Sequence, residues 1–112
     1  MKKVTFDGTT IELDPDDRVI VRPGRDGHDY YLMFMPGLEQ VVMISDSWQF
    51  DGNKKAPTFS PSLLTTGYEE KRSHCFIRGG RIEFLDDCSH NLRGQTVDLP
   101  CLRDWPEAEK LW

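Results

Sequence analysis

The run Asp86-Asp87-Cys88-Ser89-His90, together with His74, holds the residue types with the widest chemical reach in this sequence. Thiolate and imidazole are the ligands that zinc prefers. Cys88 and His90 stand two apart, so in an extended segment their side chains point the same way and could meet one ion. His74, from the preceding strand, supplies a third ligand, and the expectation is a zinc site built from His74, Cys88 and His90. Its fourth position falls to water, leaving an open site, or to Cys75, Cys101, Asp87 or His28, closing it. The competing reading makes Cys88 a buried thiol and His90 a surface or hydrogen-bonded residue. A cysteine nucleophile with a histidine base would use Cys88 with His74 or His90, and His90 lies too close in sequence to serve well. The His-x-Glu and Cys-x-x-Cys pair of zinc deaminases is missing.

A second constellation runs from Trp48-Gln49-Phe50-Asp51-Gly52-Asn53 to Pro57-Thr58-Phe59-Ser60-Pro61-Ser62-Leu63-Leu64. Asp-Gly-Asn is turn chemistry, and the two prolines favour an extended course for the segment that follows. As a binding feature this is a rigid rim around a ligand, formed by Trp48, Asp51, Asn53 and Ser60, with Asp87 beside it. As a structural one it is an Asx-type turn whose short polar side chains satisfy loop backbone groups, and this second reading is preferred.

These groups need elements to position them. The first third reads as strands Val4–Phe6, Thr9–Leu13 and Arg18–Arg22, separated by the Asp7-Gly8 turn and the Asp14–Asp17 corner. Tyr30–Phe34 and Gln40–Ile44 follow, divided by Pro36-Gly37. Residues 45–71 show no clear periodicity. His74–Ile77 and Ile82–Leu85 form a hairpin about Gly79-Gly80, a two-residue turn that pairs Ile77 with Ile82 and Cys75 with Phe84. That register puts Cys75, rather than His74, on the face Cys88 would share if pairing continued past Leu85. A three-residue loop, a bulge, or a break at Asp86-Asp87 reverses the assignment. Arg93–Pro100 reads as a loop into a final short strand, without phosphate-loop spacing. Asp104-Trp105-Pro106-Glu107 reads as a capped start for a short helix to Trp112, with Trp105, Ala108 and Trp112 on one face. The fold class is mainly β (or α+β): a small antiparallel sheet or sandwich with a short C-terminal helix.

At 112 residues, 38% hydrophobic and 29% charged, the chain reads as one domain spanning 1–112 with a modest core. Fourteen basic against nineteen acidic residues leave a net charge of −5, which makes nucleic acid a poor partner. An acidic surface instead suits solubility or a basic groove on another protein. The sequence contains no run of about 20 apolar residues, the length a membrane span needs. Three cysteines, an odd number, fit a reducing compartment, so a cytoplasmic location is expected.

Trp48, Phe50–Asn53, Pro57-Thr58, Ser60–Ser62, His74, Asp87-Cys88 and His90, with further matches as far as Pro100, resemble a family of small uncharacterised phage and prophage proteins. They share W-x-F-D-G-N, P-T-x-S-P-S and D-C-x-H motifs. Relatives often carry Cys before the matching histidine, whereas Ser73 stands there in this chain. The resemblance implies a phage-encoded accessory protein and keeps His74, Cys88 and His90 together. The resulting expectation is a zinc-binding module that inhibits or binds a host protein, with a homo-oligomer left open. Two alternatives are a small metal-dependent hydrolase, in which Asp87 or Asp86 orients a metal-bound water, and a virion or assembly component.

Overall fold

The computed structural model describes residues 1–6, 8–68, 70–106 and 108. Every strand pairing among them is antiparallel. Strands β1 (Lys2–Phe6) and β2 (Thr9–Leu13) form a hairpin. Strands β3 (Ile20–Pro23), β4 (Asp29–Met35) and β5 (Gln40–Ser45) form a meander in that order. A five-stranded sheet, ordered β10-β9-β8-β7-β6, contains β6 (Gln49–Phe50), β7 (Phe59–Tyr68), β8 (Lys71–Arg78), β9 (Arg81–Phe84) and β10 (Thr96–Asp98).

Strand β4 explains the layering. Its alternation sends Tyr31, Met33 and Met35 to one side and Leu32 and Phe34 to the other, and both sides are covered. Tyr31, Met33 and Met35 join Val42 from β5 against Phe59, Leu63, Cys75, Ile77, Ile82 and Phe84 of the five-stranded sheet. This is the main core of a sandwich, centred on the rings of Tyr31, Phe50 and Phe59 at centroid distances of 5.0–5.2 Å. Phe34 and Ile20 face a second core with Leu13, Leu102, Trp105 and Ala108. The β1–β2 hairpin and the C-terminal segment therefore cover the outer face of the meander.

The expected helix from Asp104 is corrected. A 3₁₀ turn spans Leu102–Asp104, and Trp105 after it is extended at φ −67° and ψ 148°. Pro106 is the reason, since the residue before proline is pushed out of the helical region. Trp105 and Ala108 are buried as expected, while Glu107 and residues 109–112 lie outside the described residues.

The turn after β4 depends on one glycine. Gly37 has φ +88°, and a Cβ there would stand 2.5 Å from Nδ1 of the buried His90 ring. Gly37→Ala therefore meets backbone strain and a side chain with little room to yield. We expect it to cost about 1–3 kcal/mol of stability, read as a lower urea midpoint at unchanged slope.

Candidate active site

In the β7–β8 ladder Phe59 stands opposite Ile77 and Leu63 opposite Cys75, so four steps on β7 match two on β8. The excess is a bulge at Ser60-Pro61-Ser62, whose Ser60–Pro61 peptide bond is cis. Proline lacks the N–H that a regular ladder would use, which is why the irregularity sits there. Leu63, 1% exposed, turns into the core, and Ser62 beside it faces the opposite way. On β8 the same alternation buries Ser73 and Cys75 and turns His74 outward, toward Ser62. The turn after β9 then delivers Asp87 to that outer face.

The result is a continuous chain of side chains. Ser62 Oγ lies 3.1 Å from His74 Nε2, and His74 Nδ1 lies 3.0 Å and 3.2 Å from the two carboxylate oxygens of Asp87. Asp87 accepts from Nδ1–H, which leaves the Nε2 lone pair to accept the Ser62 hydroxyl. His74, with the Arg72 guanidinium 3.0 Å away, holds the Asp87 carboxyl below the usual carboxylate range, so it stays ionised at neutral pH. A serine hydroxyl, an imidazole and a carboxylate in this order are equipped for nucleophilic acyl transfer.

The segment after β9 holds His74 by its backbone as well as by its ring. His74 N–H donates to Cys88 Sγ at 3.2 Å, and the Cys88 thiol donates back to the His74 carbonyl at 3.2 Å. Leu85 N–H also donates to that carbonyl at 2.9 Å. One residue further, Arg72 N–H donates to Ser89 Oγ at 2.7 Å, and Ser89 N–H donates to the Arg72 carbonyl at 2.9 Å. Cys88 is 3% exposed and Cys75 0%, and burial pushes the Cys75 thiol up to about 12.

The expected zinc ligands do not converge. His74 faces outward and is engaged by Ser62 and Asp87, Cys88 is spent on the His74 backbone, and His90 lies on the core side. Among the described residues no group of three or more His, Cys, Asp or Glu is placed to hold a metal ion. The break at Asp86-Asp87 is the cause: Cys88 N–H closes a turn onto the Leu85 carbonyl at 3.3 Å, so Cys88 and His90 are not in one extended run. His90 Nδ1 accepts from Leu92 N–H at 3.2 Å, which leaves Nε2–H to donate to Ser73 Oγ at 3.2 Å. Its ring meets Phe84 edge-on at 4.7 Å.

Burial, with Lys71 as the lesser cause, pushes the His90 imidazole below its ordinary value. The unfolded chain takes up this proton near pH about 6.5, whereas the folded chain resists it. Stability should therefore fall as pH drops below about 6.5 and level off once the folded-state value is passed. Thermal unfolding between pH 8 and 5 should show a shallower decline for His90→Gln than for the wild type.

The expected rim residues are dispersed. Asp51 Oδ1 accepts from Asn53 N–H at 3.0 Å, and Asn53 Oδ1 accepts from the N–H groups of Lys55 and Ala56 at 3.1 Å each, which is the loop-building role preferred for them. Ser60 and Asp51 border a shallow depression of about 460 Å³, while Asn53 borders another with Lys54 and Lys55. Asp87 is the member of this set that joins Ser62 and His74, and the Trp48 indole N–H donates to the Ser62 carbonyl at 3.3 Å.

In the sequence Ser62 stands out only as part of the proline-flanked segment Pro57–Leu64, with no link to His74 and Asp87. The signal available was parity. Leu64 pairs with His74, so Ser62, two residues earlier, falls on the same face, and Asp87 follows the β9 end that pairs with Cys75. Using it required seeing β7 as a strand, and Pro57, Pro61 and the bulge hide its alternation.

The family described as bacterial ubiquitination-like system serine protease (BubE) matches residues 6–85. The match includes Ser62 and His74 and ends two residues before Asp87. No curated protein and no solved structure matches the chain. Among the described residues no helix is long and apolar enough to cross a membrane. The family match overturns the reading as a phage accessory or inhibitory module and its metal-hydrolase and virion alternatives. Zinc binding loses its basis with the separated ligands. With 80 of its 112 residues matched (6 through 85), the chain belongs to the BubE family of bacterial ubiquitination-like system serine proteases.

Proposed function

We propose that this protein is a serine peptidase of a bacterial ubiquitination-like system that cleaves an amide bond through Ser62, His74 and Asp87. The observation that carries the reading is the unbroken Ser62–His74–Asp87 contact chain, at 3.1 Å and 3.0 Å, on an accessible sheet face. Ser62 Oγ attacks the substrate carbonyl carbon while its proton passes to His74 Nε2. The C–N bond then breaks, and His74 returns the proton to the leaving amine. Water, deprotonated by the same Nε2, releases the acyl group and restores Ser62. Asp87 keeps Nδ1–H in place throughout and stabilises the imidazolium, without taking the proton. Its ionised state supports that role.

The test is covalent trapping with a fluorophosphonate probe, followed by peptide mapping. One adduct per chain on Ser62, lost in His74→Ala, is the expected result. Labelling of another serine, or equal labelling of the His74 variant, would overturn the assignment.

A further inference from the structure

Two strand edges beside Ser62 are open. β6 covers β7 only at Phe59 and Ser60, so among the described residues Leu63–Thr66 pair on one side alone, with β8. Among the described residues β5 likewise pairs only with β4. Between these edges lies a cleft of about 340 Å³, lined among others by Met43, Ile44, Trp48, Leu64 and Thr65. Leu64 is 51% exposed and Met43 55%, so large apolar surface is left in water next to the catalytic face. Natural edge strands are normally blunted with lysine, proline or inward charge. Gln40–Ser45 and Leu63–Thr66 contain none of these.

We infer that the substrate enters as an extended apolar segment that pairs along the Leu63–Thr66 edge of β7, between β7 and β5. This rests on the serine peptidase reading and adds how the substrate is held. Main-chain hydrogen bonds to an open edge give affinity, and alternate side chains give selectivity. One set of substrate side chains would lie over Leu64 on the Ser62 and His74 face, and the other would fill the cleft toward Ile44, Trp48 and Thr65. The added strand follows the track of β6 and meets Trp48 and the bulge at its end, which brings its last carbonyl to Ser62. The site therefore reads the substrate on one side of the scissile bond, and apolar residues two apart are selected there.

The test uses Ser62→Ala protein, so that binding is read without turnover, and the peptide acetyl-Leu-Thr-Leu-Thr-Leu-Gly-amide with analogues N-methylated at single positions. Hydrogen exchange should slow at amides within 63–66 and 40–45 when the peptide is bound. N-methylation at alternate positions should weaken binding at least tenfold, with little effect at the positions between. Absence of protection on these strands, or equal binding by all N-methylated analogues, would overturn the inference. So would protection caused by self-association of the protein that the peptide does not relieve, seen by sedimentation. None of these outcomes depends on fluorophosphonate trapping, so this inference and the assignment of the nucleophile fail separately.

Discussion

Ser62→Ala should lower the turnover number for peptide or activated-ester hydrolysis by about 10⁶-fold, to the level left by binding and local polarity alone. The size follows from the position of the hydroxyl: among the described residues, it is the one hydroxyl shown in contact with His74 Nε2. Structural cost should be small. The half-buried Ser62 side chain makes its hydrogen bond to His74, while the Trp48 contact goes to the Ser62 carbonyl, which alanine keeps. Loss of one such bond costs about 1 kcal/mol. The check is steady-state hydrolysis together with thermal unfolding of the same preparation. A variant retaining a tenth or more of the activity would remove Ser62 as nucleophile, and a large drop in Tm would assign the loss to folding instead.

Asp87→Asn should reduce turnover by about 10⁴-fold while leaving the circular dichroism spectrum unchanged. An amide can present its NH₂ to the imidazole, which favours the tautomer with the proton on Nε2, where it cannot accept from Ser62. It also removes the negative charge that offsets the imidazolium. Asp86→Asn is the matched control, because Asp86 is an exposed residue whose side chain takes no part in the contacts to His74. Equal loss in both variants would mean that the acidic turn acts by general field rather than by holding Nδ1–H.

The local β elements were legible where alternation and turn chemistry agreed. The Gly79-Gly80 hairpin appears in the register the sequence implied, Ile77 with Ile82 and Cys75 with Phe84, and Thr9–Leu13 has the expected bounds. The mainly β, antiparallel reading was correct, and β4 and β7 contribute buried residues to one core. The C-terminal helix failed through competition between two signals, a capping pattern at Asp104 and the restriction Pro106 places on Trp105, and the restriction won. The site was half visible. His74, Asp87, Cys88 and His90 were all marked, yet their chemistry was assigned by residue type, and zinc affinity outweighed strand parity. What decides the matter is which face each residue occupies, and a two-residue bulge beside a proline is a feature that periodicity cannot report. The loop roles of Asp51 and Asn53, in contrast, follow from side chains too short to reach beyond their own turn.

The three groups of the proposed site lie within 62–87, on β7, β8 and the turn after β9, and Cys88 and Ser89 stitch that turn to the strand bearing His74. Their assembly therefore needs only contacts of short sequence separation. Among the described residues the β1–β2 hairpin and the 3₁₀ segment, which cover the far side of the three-stranded meander, belong to the second core, whereas the buried apolar residues of that unit belong to the first. Sub-global opening that frees the hairpin, the kind of fluctuation native-state exchange detects well below the global unfolding free energy, should leave Ser62, His74 and the Asp87 carboxylate aligned. On the proposed reading, loss of the Ser62–His74–Asp87 arrangement is thus tied to the cooperative loss of the five-stranded sheet rather than to opening of the amino-terminal hairpin.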